Sequence, residues 1–180
     1  MGRDKAWLDL DGQSMIERVI AALVPVTTGV AVIANNPEYA RLGLPVFADS
    51  HSNIGPLEAI RTALENAQTS RVVLAGCDLP FVTSELFELL LNIQGDYEAV
   101  IPVGPDQKPQ PLCAIYSTQG LTVVRDLIAN GERRISSLFD RVPTRFVAFD
   151  DLRHLADFEL FFENINTPKD YARALRSLRR

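Results

Sequence analysis

A chain of 180 residues, 47% of them hydrophobic, is long enough to bury one core and short for two. Its formal net charge of −5 leaves no basic footprint for nucleic acid, and its longest apolar runs fall far short of a membrane span. Neither cysteine, Cys77 or Cys113, lies in a C-x-x-C spacing, which argues against a disulfide framework or a zinc site. With no basic leader ahead of an apolar segment, the protein reads as cytoplasmic, binding neither nucleic acid nor membrane. The dense basic stretch "ARALRSLRR" reads as a solvated last helical turn whose arginines suit the negative end of the helix dipole.

In chain order, the apolar spacing changes around "DGQS" from alternation to a helical period. This predicts a short extended piece, a turn at Asp11-Gly12 and a helix to about Leu23, stopped before Pro25. "GVAVIAN" has the β-branched content of a buried strand, ended by Asn35-Asn36-Pro37, and "LPVFADS" reads as a second strand ending in Asp49. "LEAIRTALENA" is helical, with Pro56 at its first position. "RVVLAGCDLP" is the clearest buried parallel strand, and "TSELFELLLNI" a helix capped by Thr83 or Ser84.

"YEAVIPV" and "PLCAIYS" are strands around a polar Gly-Pro-Asp-Gln-Lys-Pro loop, and "TQGLTVVRDLIANG" is a helix ending on Asn-Gly. "RFVAFDD" and "LFFENINTP" read as two further short strands, and Pro168 opens a terminal helix through Leu178. The alternation of strand and helix predicts a single three-layer α/β/α domain, Rossmann-like, around a mostly parallel sheet.

In such sheets ligands sit beyond the carboxyl ends of the strands, where this chain places Asn35, Asp49, Asp78, Asn164 and Asn166. Asp78, straight after an apolar strand, suits a hard cation such as Mg²⁺, or else bonds backbone amides in its own turn. Lys5 is either the electrostatic partner of a phosphate or an ordinary surface lysine. Asp49 reads as a second charged ligand or a loop cap, and Asn35 as a reader of ribose or base or as turn chemistry. His51 and His154 lack a local partner, Ser14, Ser136 and Ser137 sit in no nucleophile elbow, and Phe161-Phe162 reads as core.

Several of these stretches, in this order, resemble one family, the molybdenum cofactor guanylyltransferases, bacterial enzymes that join GMP to molybdopterin. "MGRDKAWLDLDGQSMIERVI" resembles the second half of that family's opening signature, a glycine-rich loop ending in Arg-Met-Gly-x-Asp-Lys. "DSHSNIGPLEAI" is similar to its Asp…Gly-Pro-Leu-Ala-Gly-Ile segment, with Glu58 where alanine is usual and Ala59 where glycine is usual. "AGCDLPFV" resembles its Cys-Asp-x-Pro motif and "FENINTPKDYARA" its Asn-Ile-Asn-Thr-Pro-x-Asp ending. Related cytidylyltransferases carry Asp-Gln-Pro where this chain has Asp78-Leu79-Pro80, which favours guanylyl transfer.

The resemblance implies a nucleotidyltransferase domain over 1–180 whose first strand and glycine-rich loop belong ahead of Met1. Without them, unpaired strand edges, lower stability or an altered assembly, and impaired GTP binding are expected. It assigns Lys5 to the triphosphate, Asn35 and Asp49 to guanosine, Asp78 to Mg²⁺ beside the α-phosphate, and Asn164 with Asn166 to the pterin side. Lys5 and Asp78 are the catalytic pair. The partners it implies are GTP, molybdopterin and other proteins of molybdenum cofactor biosynthesis. The alternatives are a nucleotidyltransferase with another base or a sugar-phosphate acceptor, and a nucleotide- or partner-binding module with impaired catalysis.

Overall fold

The computed structural model describes residues 4–48 and 55–178, so Asp49 and His51 lie outside the described residues. Among the described residues six strands and six helices follow one another, all of them expected from the sequence except the short helix Ser136–Phe139, and they are joined in places by short 3₁₀ turns. In the first half these are α1 (Met15–Leu23), β1 (Val32–Ile33), β2 (Val46–Phe47), α2 (Pro56–Glu65), β3 (Arg71–Ala75) and α3 (Ser84–Leu91). The second half holds β4 (Ala99–Pro102), β5 (Cys113–Ser117), α4 (Leu121–Ala129), α5 (Ser136–Phe139), β6 (Thr144–Val147) and α6 (Pro168–Ser177).

Local chemistry fixes most boundaries. Asp11 and Gly12 both take positive φ, 60° and 84°, and form the turn before α1. Ser14 and Glu17 then close a capping box on that helix. The Thr83 side chain caps α3, and Gly131, at φ 75°, follows the end of α4 in the left-handed region that favours glycine.

The strands form a two-stranded parallel ribbon, β1-β2, and a four-stranded sheet in the order β3-β5-β4-β6. Within the larger sheet β3, β4 and β6 run the same way and β5 runs against them. Alternate residues feed two cores, which makes the three layers. Val100, Cys113 and Ile115 pack with α1 and α3, whereas Ala99, Ile101, Ala114 and Tyr116 pack with α2 and α4.

Among the described residues β1 and β3 each have a strand partner on one edge only. Ile33 and Phe47 of the ribbon and Val72, Val73 and Leu74 of β3 line one cavity of about 610 Å³. This opening is why every residue of β3, apolar enough to be read as fully buried, stays partly exposed.

One predicted strand is corrected. The stretch 160–168 forms no strand: it leaves the 3₁₀ turn Phe158–Leu160 and runs irregularly into α6. Phe161 and Phe162 are adjacent yet both buried in the same core as Phe87 and Val147, which strand alternation forbids. Their burial bears out the reading of this pair as core.

Candidate active site

The site lies at the carboxyl end of β3. After Ala75 the chain turns sharply, with the Leu79 amide donating to the Gly76 carbonyl at 3.1 Å, and this turn carries Asp78. Arg18 of α1 pins it by donating from Nε to the Pro80 carbonyl at 3.2 Å. The Asp78 carbonyl accepts from the Ile165 amide at 3.0 Å, which straps the 164–166 segment alongside. Lys5 arrives from the other side on the 3₁₀ turn Lys5–Trp7, capped by Asp4, whose Oδ1 accepts from the Ala6 amide at 3.1 Å.

These three segments meet at one atom. The Lys5 ammonium donates to Asp78 Oδ2 at 3.1 Å and to Asn166 Oδ1 at 2.5 Å. An ammonium carries three donors, so one remains for a substrate oxygen. The Lys5 and Asp78 side chains keep 33% and 23% of their surface, and an ion pair this exposed adds at most about 1 kcal/mol to folding. Stability alone therefore gives little reason to gather these groups.

The oxygen donors of Asp78 and Asn166, converging on a cation, have the chemistry that Mg²⁺ takes, one carboxylate with the remaining positions left to water and phosphate. No group of three or more His, Cys, Asp or Glu side chains able to hold a metal gathers among the described residues. A divalent ion here would lean on Asp78 and the substrate phosphates.

Of the other expected residues, Asn35 stands exposed just past β1, while its neighbour Asn36 caps the 3₁₀ turn Pro37–Leu42 by accepting from the Glu38 amide. Asn164 is half-buried and donates to the Phe162 carbonyl at 3.4 Å. Asn166, grouped with it by sequence, is the one brought onto Lys5. Cys77 sits half-buried beside the site, and burial first, then the Asp78 charge, pushes its thiol up to about 11. It is a poor nucleophile at neutral pH.

Sequence reasoning missed two contributors. Tyr39 donates from its hydroxyl to Asp4 Oδ2 at 2.8 Å, and burial, then this hydrogen bond, holds the phenol well above its ordinary value. Gly76 is the other, because a Cβ there would come within 2.7 Å of Asp78 Oδ1. Gly76→Ala is expected to push the Asp78 carboxylate aside, lowering turnover about tenfold with a melting temperature within a few degrees of wild type. Steady-state kinetics beside a thermal melt checks this, since unchanged turnover would show that the carboxylate has room to spare.

An α/β sheet with a lysine and an aspartate meeting at its carboxyl edge fits a nucleotide-handling transferase, and the comparisons give that class. The family described as MobA-like NTP transferase domain matches residues 1–145, and the chain belongs to it. It is 32% identical over 176 residues to a probable molybdenum cofactor guanylyltransferase of Carboxydothermus hydrogenoformans, covering 98% of this chain and 89% of the relative. It is 31% identical over 173 residues to the molybdenum cofactor guanylyltransferase of Haemophilus influenzae, covering 94% and 87%.

Among solved structures it resembles molybdopterin-guanine dinucleotide biosynthesis protein A of Archaeoglobus fulgidus. The TM-score is 0.82 at 26% identity, over 99% of this chain and 92% of that one. A 2-C-methyl-D-erythritol 4-phosphate cytidylyltransferase of Thermus thermophilus shares the fold, with a TM-score of 0.72 at 18% identity over 98% and 94% of the two chains.

Proposed function

We propose that this chain transfers GMP from GTP to molybdopterin, releasing pyrophosphate. The observation that carries the reading is the Lys5 ammonium held between Asp78 and Asn166 at the end of β3. It gains weight from the guanylyltransferase relatives, which align along almost the whole chain. A terminal phosphate oxygen of molybdopterin attacks the α-phosphorus of GTP. The new P–O bond forms as the α–β bond breaks, and its electron pair leaves on pyrophosphate.

The protein's work is positioning and charge neutralisation. Lys5 turns its free donor to the triphosphate. Asp78, with Asn166 beside it, holds Mg²⁺, which when bound supplies positive charge to the phosphate oxygens. Asn35 and Asp49 read guanosine, and Asn164 lines the pterin side together with the outer face of Asn166. No helix among the described residues is long and apolar enough to cross a membrane.

Isothermal titration of GTP and CTP with Mg²⁺ tests the base preference. Tighter binding of GTP than CTP is expected. A preference for CTP would overturn the guanylyl reading.

A further inference from the structure

The turn that carries Lys5 is only three residues long, too short to hold its own shape, yet it places an ammonium between two specific acceptors. What holds it from behind is a cluster on the turn Pro37–Leu42, which follows directly on Asn35 and Asn36. Tyr39, 7% exposed, donates to Asp4 Oδ2, while Asp4 Oδ1 caps the Lys5–Trp7 turn. The Trp7 ring lies 5.2 Å from that of Tyr39 at an interplanar angle of 33°, and the Arg41 guanidinium carbon stands 3.5 Å from the Trp7 ring centroid.

We propose that Tyr39 is a positioning residue for Lys5: through Asp4 and Trp7 it ties the loop after β1 to the phosphate-facing lysine, so that the two sides of the nucleotide site move as one body. The physical case is the pairing of a directional tie with a stiff one. The hydroxyl-to-carboxylate bond fixes where the turn begins, and a charged acceptor makes it a strong one. The aromatic contact, with a cation on the same indole, fixes where the turn ends, using rings that lose little conformational freedom. Lys5 lies between these two anchors, one residue from Asp4 and two from Trp7.

The inference rests on reading Lys5 as the triphosphate contact, and its test separates the two. Trp7 is the single tryptophan of the chain, so its fluorescence anisotropy reports the tie without any activity being measured. Calorimetric affinity for inorganic triphosphate with Mg²⁺ reports Lys5. Tyr39→Phe keeps the ring and removes the hydroxyl. It is expected to speed Trp7 rotation and to weaken inorganic triphosphate binding five- to tenfold, with the thermal midpoint lowered by several degrees at most. Asp4→Ala, which also removes the acceptor for the Ala6 amide, should weaken it at least as much, and Asp4→Asn, whose single amide oxygen can accept from Tyr39 or from the Ala6 amide, should recover part of the lost affinity.

If Tyr39→Phe leaves both affinity and anisotropy at wild-type values, Tyr39 is merely core and the proposal falls. If Trp7 loosens while affinity holds, the tie is structural and does not position Lys5, which also overturns it. If the wild-type chain binds no inorganic triphosphate, the reading of Lys5 fails first and the positioning role goes with it. A faster Trp7 rotation in Tyr39→Phe would then record the tie alone.

Discussion

Asp78→Asn lowers nucleotidyl transfer by about a hundred- to a thousandfold while the protein folds as before. The substitution keeps size and shape, so the turn after β3 and the backbone bond from the Ile165 amide to residue 78 are retained. It removes the carboxylate that pairs with Lys5 among the described residues, and with it the charge that, in the proposed function, would draw a divalent ion to this edge of the sheet. Pyrophosphate release at saturating GTP, set beside a thermal melt, measures the two effects separately. Raising Mg²⁺ should recover part of the activity, because a neutral amide oxygen still ligates weakly. Wild-type turnover in this variant would remove Asp78 from the chemistry.

Phe161→Ala costs about 3–5 kcal/mol of stability. Phe161 is fully buried, meets Phe162 edge to face at 6.4 Å between centroids, and belongs to the core that joins α1, α3 and the sheet. Removing it empties a ring-sized volume behind the segment that presents Asn166, so melting falls by roughly 6–20 °C. Urea unfolding with an unchanged slope is the measurement. Phe146→Ala, on edge strand β6 with 42% of the residue exposed and one edge-to-face contact with Phe139, is the comparison and should cost about 1–2 kcal/mol. Equal losses at the two positions would contradict the core assignment.

Those two residues mark how far the sequence carries. Asp78 was legible because a carboxylate directly after an apolar β-branched run has few places to go in an α/β sheet, and Lys5 because a motif accompanies it. Helix ends were legible wherever a single residue decides them, as at Pro56, Thr83 and Pro168. The 160–168 stretch was misread because its apolar run has strand composition, whereas burial of two adjacent phenylalanines on one side is a tertiary fact.

The reversed direction of β5 had an available signal. Its ten-residue connection from β4, at 103–112, suits a hairpin better than the crossover that parallel neighbours need. The motif singles out Asn166 as a candidate, but its place on Lys5, like that of Tyr39 on Asp4, has no such signal. Their partners lie 161 and 35 residues away in sequence, and only the packed fold brings an amide oxygen onto Lys5 and a phenol onto Asp4.

In the proposed function the Lys5, Asp78 and Asn166 cluster moves a guanylyl group onto a phosphorylated pterin. Incubating the protein with molybdopterin, Mg²⁺ and GTP labelled at the α-phosphorus tests it most directly. Label is expected to enter the pterin product in step with pyrophosphate release, and Lys5→Ala and Asp78→Asn are both expected to suppress it. Label that stays in GTP, or that transfers equally well in both variants, would contradict it.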